Sequence, residues 1–335
     1  MKKKLFAVLT AATFAALCVP VLSACNASTG YTLKTDEDGN KYYVASCSGM
    51  STALNGELVI EDYYGEGENR YPVAEIAEKG FSGTNITKVT IPATVKKIGT
   101  AAFAYSNLLR TVEFENGGEL DEISQGAFGY CESLTEINLP QSVKTIGYMS
   151  FYSCKSLKEI AMPAVEGISA KAFENCYSLE EITLPETLVT IGARAFCYSA
   201  LTEIVIPDSV KATVIGEDNI PAIGDAAFHS CTELKRAVVG KGVTEINSGV
   251  FGYCTALTDL WLPETVTKIE GARYNDNGFY CGHAFHNNTA LENVYYAGTQ
   301  EMWNAFKDNI DNKSVSEGGA TFDNSALFNA QLHFE

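Results

Sequence analysis

One stretch constrains this chain more than any other. Ile168 to Pro185, ISAKAFENCYSLEEITLP, states a pattern, I-G-x-x-A-F-x-x-C-x-x-L-x-x-I-x-L-P, that returns along most of the sequence. Its opening isoleucine recurs at Ile76, Ile98, Ile123, Ile146, Ile168, Ile191, Ile223, Ile246 and Ile269, and its phenylalanine at Phe81, Phe103, Phe128, Phe151, Phe173, Phe196, Phe228, Phe251 and Phe285. A fixed period of this length is the signature of stacked supersecondary units. One unit offers about five large apolar side chains, at about 2 kcal/mol each on burial, against about 1.5 kcal/mol for every residue it orders. No unit folds alone, so stability must come from contacts between neighbours. Nine such units read as one elongated body rather than the two domains that 335 residues would ordinarily hold.

The segment L-x-x-I-x-L-P alternates apolar and polar residues, the period of a half-buried strand. Pro92, Pro140, Pro163, Pro185, Pro207 and Pro263 close it, because proline cannot donate to a ladder. Before the array, residues 42–75 read as a strand cap that shields the first unit's open edge, with strands at 42–46 and 57–61. After it, residues 297–335 read as a second cap. Thr299 is placed to cap a helix carrying Trp303, Phe306 and Ile310, residues 311–324 form a polar loop, and Phe328, Ala330, Leu332 and Phe334 alternate as a closing strand. Two spacers are stretched, between Pro207 and Ile223 and between Ile269 and Phe285. Such insertions are expected to project from one side and border a binding face.

The first residues are an address rather than a fold. Lys2 to Lys4 precede an apolar run, Leu5 to Val21, and Leu22-Ser23-Ala24-Cys25 resembles the lipobox of bacterial lipoprotein precursors. That resemblance implies a signal peptide at 1–24, a lipid on Cys25, a polar tether over 25–41, and a cell-surface protein anchored to a bacterial membrane. Removing residues 1–24 takes away three lysines and no acid, so the formal charge falls from −17 to −20. Such a chain repels nucleic acid.

Cysteine usage argues against a disulfide scaffold. Cys131, Cys154, Cys176, Cys231 and Cys254 each lie three residues after the unit's phenylalanine, where other units carry Thr84, Ser106, Ser199 or Asn288. Every occupant is small and able to hydrogen-bond, which fits a buried group satisfying loop backbone and does not fit a cross-link. After a hydroxyl the next core residue, Ile86, Leu108 or Leu201, follows at two positions, and after Cys at three. On that reading the hydroxyls serve a shorter arc, and Ser199→Cys destabilises the unit.

The recurrent A-F-x-x-C-x-x-L-x-x-I-x-I-P unit resembles the BspA-type leucine-rich repeats of bacterial surface proteins, over roughly residues 58–334. Tyr71-Pro72-Val73 at the entry and Val294-Tyr295-Tyr296-Ala297-Gly298-Thr299 at the exit are similar to that family's ends. The resemblance implies a mostly β, right-handed curved solenoid, a leucine-rich-repeat array over 76–296, and a ligand-binding role for its concave strand face.

No nucleophile elbow, phosphate loop, zinc-protease helix or paired-acid motif occurs. Cys281, His283 and His286 make a Cys-His cluster on paper, yet no fourth ligand is fixed by spacing. The expectation is a binding protein with no catalytic residue, metal or cofactor. What the strands can present is their outward side. One outward position runs Thr90, Glu113, Asn138, Ala161, Thr183, Val205, Val238, Trp261, Tyr295, turning apolar toward the C-terminus. Two residues earlier lie Glu136, Glu159, Glu181 and Glu203, a column of like charge. Val205, Val238, Trp261 and Tyr295, with those glutamates as a margin, are the candidate surface for an extracellular protein or glycan. The competing class is an envelope spacer or self-associating component with no soluble ligand.

Overall fold

The computed structural model describes residues 27–215, 218–273, 281–311, 313, 315–317 and 320–334. Cys25 and the signal peptide lie outside the described residues. The chain is a solenoid in which most coils contribute to two parallel ladders. The alternating segments form the long ladder, among them Asn85–Ile91, Thr111–Phe114, Glu136–Asn138, Glu159–Ala161, Glu203–Val205, Arg236–Val238, Asp259–Leu262 and Asn293–Tyr296. A second ladder, not foreseen, runs through the unit's opening isoleucine in strands only two residues long, such as Thr145–Ile146 and Gly167–Ile168. Its register sets Ile76 beside Ile98, Ile98 beside Ile123, and so on through Ile146, Ile168 and Ile191 to Ile223.

Between the ladders the coil turns through the A-F segment, and the turn uses the left-handed region twice. Residues two before the phenylalanine, such as Ala101, Met149, Lys171 and Arg194, have φ of 54 to 59°, and residues two after it, from Tyr105 to Asn287, have φ of 57 to 66°. Each non-glycine residue held there costs on the order of 1–2 kcal/mol. The cost is offset by what the turn encloses. All nine phenylalanines are fully buried, and successive rings stack 5.2 to 5.5 Å apart with interplanar angles of at most 19°. Their amides bond across coils as well: Phe103 N–H donates to Ala127 and Phe173 N–H to Ala195, each at 2.8 Å.

The cysteine column behaves as its exchange pattern demands. Cys131, Cys154, Cys231 and Cys254 each donate a thiol hydrogen bond of 3.2 Å to the phenylalanine carbonyl of the preceding coil, and Cys176 does so at 3.3 Å. Thr84 and Ser106 hydroxyls reach the Phe81 carbonyl at 2.9 Å. These five thiols form no disulfide. The arc-length reading holds at two of its three hydroxyl positions: Ile86 and Leu201, two residues after Thr84 and Ser199, are fully buried, whereas Leu108 is 46% exposed and Leu109, three residues after Ser106, is the buried one. The glycine after the isoleucine has a different cause. A Cβ on Gly192 would lie 2.3 Å from the amide nitrogen of Ala170 in the coil before, and one on Gly224 would lie 2.3 Å from that of Ala193.

The ends depart from expectation. Residues 28–35 are no tether: β1 (Ser28–Thr35) pairs antiparallel with β2 (Lys41–Ser48), Ser28 opposite Ser48 and Thr35 opposite Lys41. The Asp36 carboxylate accepts amide hydrogen bonds from Asp38 and Asn40 and closes the turn, and β2 then runs parallel to Tyr71–Ile76. At the other end α1 (Gln300–Lys307) forms with Thr299 Oγ1 accepting from Met302 N–H and Trp303 and Phe306 buried against Tyr296, but it stops short of Ile310, which instead bridges in parallel to Ile269 of the short ladder. The polar stretch after it contains a short hairpin, Val315–Glu317 with Ala320–Phe322. Phe328 belongs to α2 (Ser325–Asn329) and is 43% exposed, so the closing strand is only Gln331–Phe334, parallel to Asn293–Tyr296.

Candidate functional site

The long ladder places the outward residues in strict register. Val205 lies opposite Val238, Val238 opposite Trp261, and Trp261 opposite Tyr295. The last strand extends the row by one member that the repeat motif does not mark, His333 opposite Tyr295. Strand spacing of about 4.8 Å brings flat side chains in such a row into van der Waals stacking. The indole of Trp261 and the ring of Tyr295 stack 4.4 Å apart at 7°, and Tyr295 and His333 stack 4.6 Å apart at 16°. Above the other face of Trp261 sits the Arg236 guanidinium, 4.5 Å from the ring centroid. The result is a column of four planar groups, Arg236, Trp261, Tyr295 and His333.

A polar row beside the column fixes its orientation. Thr258 Oγ1 donates to the Asp259 carboxylate at 2.6 Å, Asn293 Nδ2 donates to the same carboxylate at 2.9 Å, and Asn293 Oδ1 faces His333 Nε2 at 3.0 Å. With the Asn293 amide nitrogen committed to Asp259, its oxygen is the acceptor and His333 Nε2 carries the proton. Arg236 is held from its far side by an ion pair with Glu203. Val205, 49% exposed, and Val238 continue the face beyond Arg236. They border a cleft of about 350 Å³ that Pro207, Trp261 and Tyr295 also line, with Glu186 and Lys241 at its rim.

The glutamate column is only partly assembled. Glu136 stands opposite Glu159 in register, and neither forms an ion pair among the described residues. Glu203 is neutralised by Arg236. Glu181 leaves the ladder: residues 180–184 form no strand, and the long ladder divides there into two five-stranded sheets.

The two insertions approach different places. On the flank of the short ladder Arg273, from the second, makes a two-point ion pair at 2.7 and 3.3 Å with Asp225, in the coil that follows the first. With Pro221, Thr190 and Ser169 they line a cleft of about 750 Å³. The first insertion also borders the outward face as expected, since its Asp208 lines the cleft beside Val205, Trp261 and Tyr295; among the described residues the second does not.

The titratable interior is inert. Burial pushes the Cys131 thiol up to about 12 and the Cys231 thiol to about 11, so both are protonated at neutral pH and act as donors rather than nucleophiles. Burial lowers His229 to about 4, keeping it neutral. Cys281 and His283 are buried, and among the described residues no three His, Cys, Asp or Glu side chains converge as metal ligands.

A family model described as BspA type leucine rich repeat region, in six copies, matches residues 74–165, 110–217 and 163–280. No curated protein matches the chain. Among solved structures, a leucine-rich repeat protein from Bacteroides capillosus is 31% identical over 40% of this chain and 98% of its own, with a TM-score of 0.31. A leucine rich cell surface protein from Faecalibacterium prausnitzii is 20% identical over 84% of this chain and 97% of its own, with a TM-score of 0.34. The pneumococcal vaccine antigen PcpA is 16% identical over 92% of this chain and 97% of its own, with a TM-score of 0.37.

Proposed function

The chain belongs to the BspA-type leucine-rich-repeat family, and from that premise we propose that it is a bacterial cell-surface binding protein, anchored by a lipid on Cys25, that holds an extracellular protein on the outward face of its long ladder. One observation carries the reading: Val205, Val238, Trp261 and Tyr295 stand on adjacent strands in register, on the side facing away from the core. Isolated apolar residues on a surface are ordinary, whereas a contiguous row with Trp and Tyr at its centre has the composition of an interaction hot spot. The stacking favours a protein over a glycan at this place. Arg236 and Tyr295 cover the two faces of Trp261, and Trp261 and His333 cover those of Tyr295. A sugar would need an open ring face, while an apolar side chain of a protein packs against ring edges and valines. Glu136, Glu159 and Glu181, with Glu203 held by Arg236, give the face an acidic margin suited to a basic partner.

No helix among the described residues is long and apolar enough to cross a membrane, and the anchor rests on Leu22-Ser23-Ala24-Cys25. Ala27 is buried and β1 begins at Ser28. A lipid on Cys25 would therefore hold the folded body within about 10 Å of the bilayer, three extended residues. Two experiments test the proposal. Cys25→Ala should abolish incorporation of labelled palmitate and release the protein from the membrane fraction; a mutant that stays membrane-bound removes the anchor. The mature protein should bind a member of an immobilised panel of extracellular-matrix proteins and mucins saturably, and Trp261→Ala with Tyr295→Ala should weaken that binding at least a hundredfold, about 2.7 kcal/mol. Unchanged affinity in the double variant places the partner elsewhere. Self-association that grows with concentration on size exclusion, with no panel member bound, supports a self-assembling envelope component instead.

A further inference from the structure

A second row of aromatic residues follows the other side of the coil, just past the buried phenylalanine stack. The position two residues after each phenylalanine is left-handed in every coil: Gly83, Ser153, Asn175, Ser230 and Asn287 occupy it in five, and tyrosine in the other four, Tyr105, Tyr130, Tyr198 and Tyr253, with φ of 59 to 63°. Glycine and asparagine suit that conformation and a bulky aromatic residue does not. Two of the tyrosines repay little of the strain by burial, Tyr105 being 55% and Tyr198 39% exposed, while Tyr130 and Tyr253 are half-buried. Residues kept in an unfavourable backbone state without a packing return mark places where something else retains them.

What they form is a stripe. Tyr105 and Tyr130 stack 4.5 Å apart at 9°, Tyr152 follows at 5.2 Å, and further on His229, Tyr253 and His286 succeed one another at 5.2 and 5.0 Å. Tyr177, 53% exposed, fills the coil between the two groups, its hydroxyl donating to Asn175. The stripe ends openly: the coil before Tyr105 has Gly83 at the equivalent position, so no side chain there covers the outer face of the Tyr105 ring. The charges beside it are paired, Lys155 with Glu132 and Arg194 with Glu174.

We propose that this tyrosine stripe, Tyr105 to Tyr253, is a second binding surface, and that its ligand is a neutral polysaccharide lying along the solenoid. Three features select that ligand. Exposed or half-buried tyrosines stand in six of the nine coils, Tyr105, Tyr130, Tyr152, Tyr177, Tyr198 and Tyr253, with buried His229 and His286 continuing the row beneath the surface, a spacing that matches a polymer of repeating units. The outer face of Tyr105, toward Gly83, and the exposed rings of Tyr177 and Tyr198, none of them in a parallel stack among the described residues on that side, supply with their phenol hydroxyls the apolar platform and hydrogen bonds that a sugar ring needs. The local charges are internally paired and the chain as a whole carries −17, which excludes polyanions, nucleic acid included.

The test is affinity electrophoresis of the mature protein in native gels containing mannan, dextran, β-glucan, xylan or galactan, with heparin as a polyanion. The comparison variant is Tyr105→Asn with Tyr198→Asn, which places a residue suited to the left-handed region at both exposed sites. The expected result is retardation by at least one neutral polysaccharide, weakened in the double variant with a dissociation constant raised tenfold or more, with an equal or higher melting temperature and with Trp261→Ala/Tyr295→Ala still retarded. Retardation by none of the neutral polymers, by heparin alone, or equally in wild type and double variant overturns the proposal. A fall of several degrees in the variant's melting temperature also overturns it, because the tyrosines would then be structural. Loss of retardation in the Trp261/Tyr295 variant alone would assign the sugar to the long ladder and contradict both this assignment and the protein partner proposed there.

Discussion

Phe173 lies at the middle of the buried stack, and replacing it by alanine asks how much of the solenoid's stability passes from coil to coil. The ring is fully buried and stacked on both sides, 5.3 Å from Phe151 and 5.2 Å from Phe196. Truncating a buried phenylalanine costs about 3–5 kcal/mol, and losing two ring stacks rather than one puts Phe173 at the upper end, since a stack contributes about 0.5–1.5 kcal/mol beyond area. Phe81 stacks on Phe103 alone, at 5.4 Å, so Phe81→Ala should cost about 1 kcal/mol less. A loss near 5 kcal/mol is comparable to the whole stability of many domains, and in a nearest-neighbour array it also uncouples the halves. The two tryptophans, Trp261 and Trp303, both report on the C-terminal side of the lesion. Urea unfolding should therefore give coincident transitions by far-UV circular dichroism and tryptophan fluorescence in the wild type, and separate midpoints in Phe173→Ala. Coincident transitions with a cost under about 1 kcal/mol would refute the reasoning, because that is below the figure for losing a single buried ring.

The other expectations concern single contacts. Cys154 donates to the Phe128 carbonyl, which also accepts the Cys131 N–H; Cys154→Ser can keep the side-chain bond, as Ser106 does to Phe81, and should be the less costly change, whereas Cys154→Val removes one of the carbonyl's two donors and should cost about 0.5–1.5 kcal/mol, the reverse order in thermal melts contradicting the role given to the thiols. Gly192→Ala forces a Cβ to 2.3 Å from the Ala170 amide nitrogen and should destabilise by about 1–3 kcal/mol, while Gly167→Ala, whose Cβ would meet nothing nearer than 3.7 Å, should be neutral or stabilising; equal melting temperatures for the two would show that close approach is not what selects glycine. His229 titrates near 4 in the folded protein and near 6.5 when exposed, so the unfolded chain binds more protons between those values. Its contribution is complete above about pH 6.5 and is lost as pH falls toward 4. The melting temperature should drop between pH 7 and 4.5, and drop less in His229→Phe; identical pH profiles would locate the acid sensitivity elsewhere.

The repeat announces its own core. Isoleucine, phenylalanine and cysteine columns are readable because the same side-chain type recurs at the same phase, and the outward row Val205, Val238, Trp261, Tyr295 follows from that phase by counting. What escaped has physical reasons. Two-residue strands such as Thr145–Ile146 are too short for any alternation to show. The hairpin at 28–48 has its signal in the turn, where Asp36 accepts amides and Gly39 has a φ of 85°, but its first strand is polar and its partner lies across that turn. His333 joins the aromatic column through a strand that lacks the repeat motif, and Arg236 joins it through a stacking contact that only the register reveals. The break in the long ladder at Glu181 has no mark in the repeat motif, which runs through residues 180–184 unchanged. Leu108 and Leu109 are adjacent leucines of which one is buried, and spacing alone could not choose between them.

The central claim is that the outward row of the long ladder touches a protein partner, and a photo-crosslinker placed there tests it without truncating anything. Benzoylphenylalanine at Val205, which is 49% exposed, compared with the same group at exposed Lys79 on the turn side, would be irradiated with a mixture of purified extracellular-matrix proteins and mucins. The account predicts a discrete adduct with one matrix protein from position 205, competed by unlabelled wild type, and none from position 79. Adducts only between two copies of this chain, or equal adducts from both positions, would contradict it.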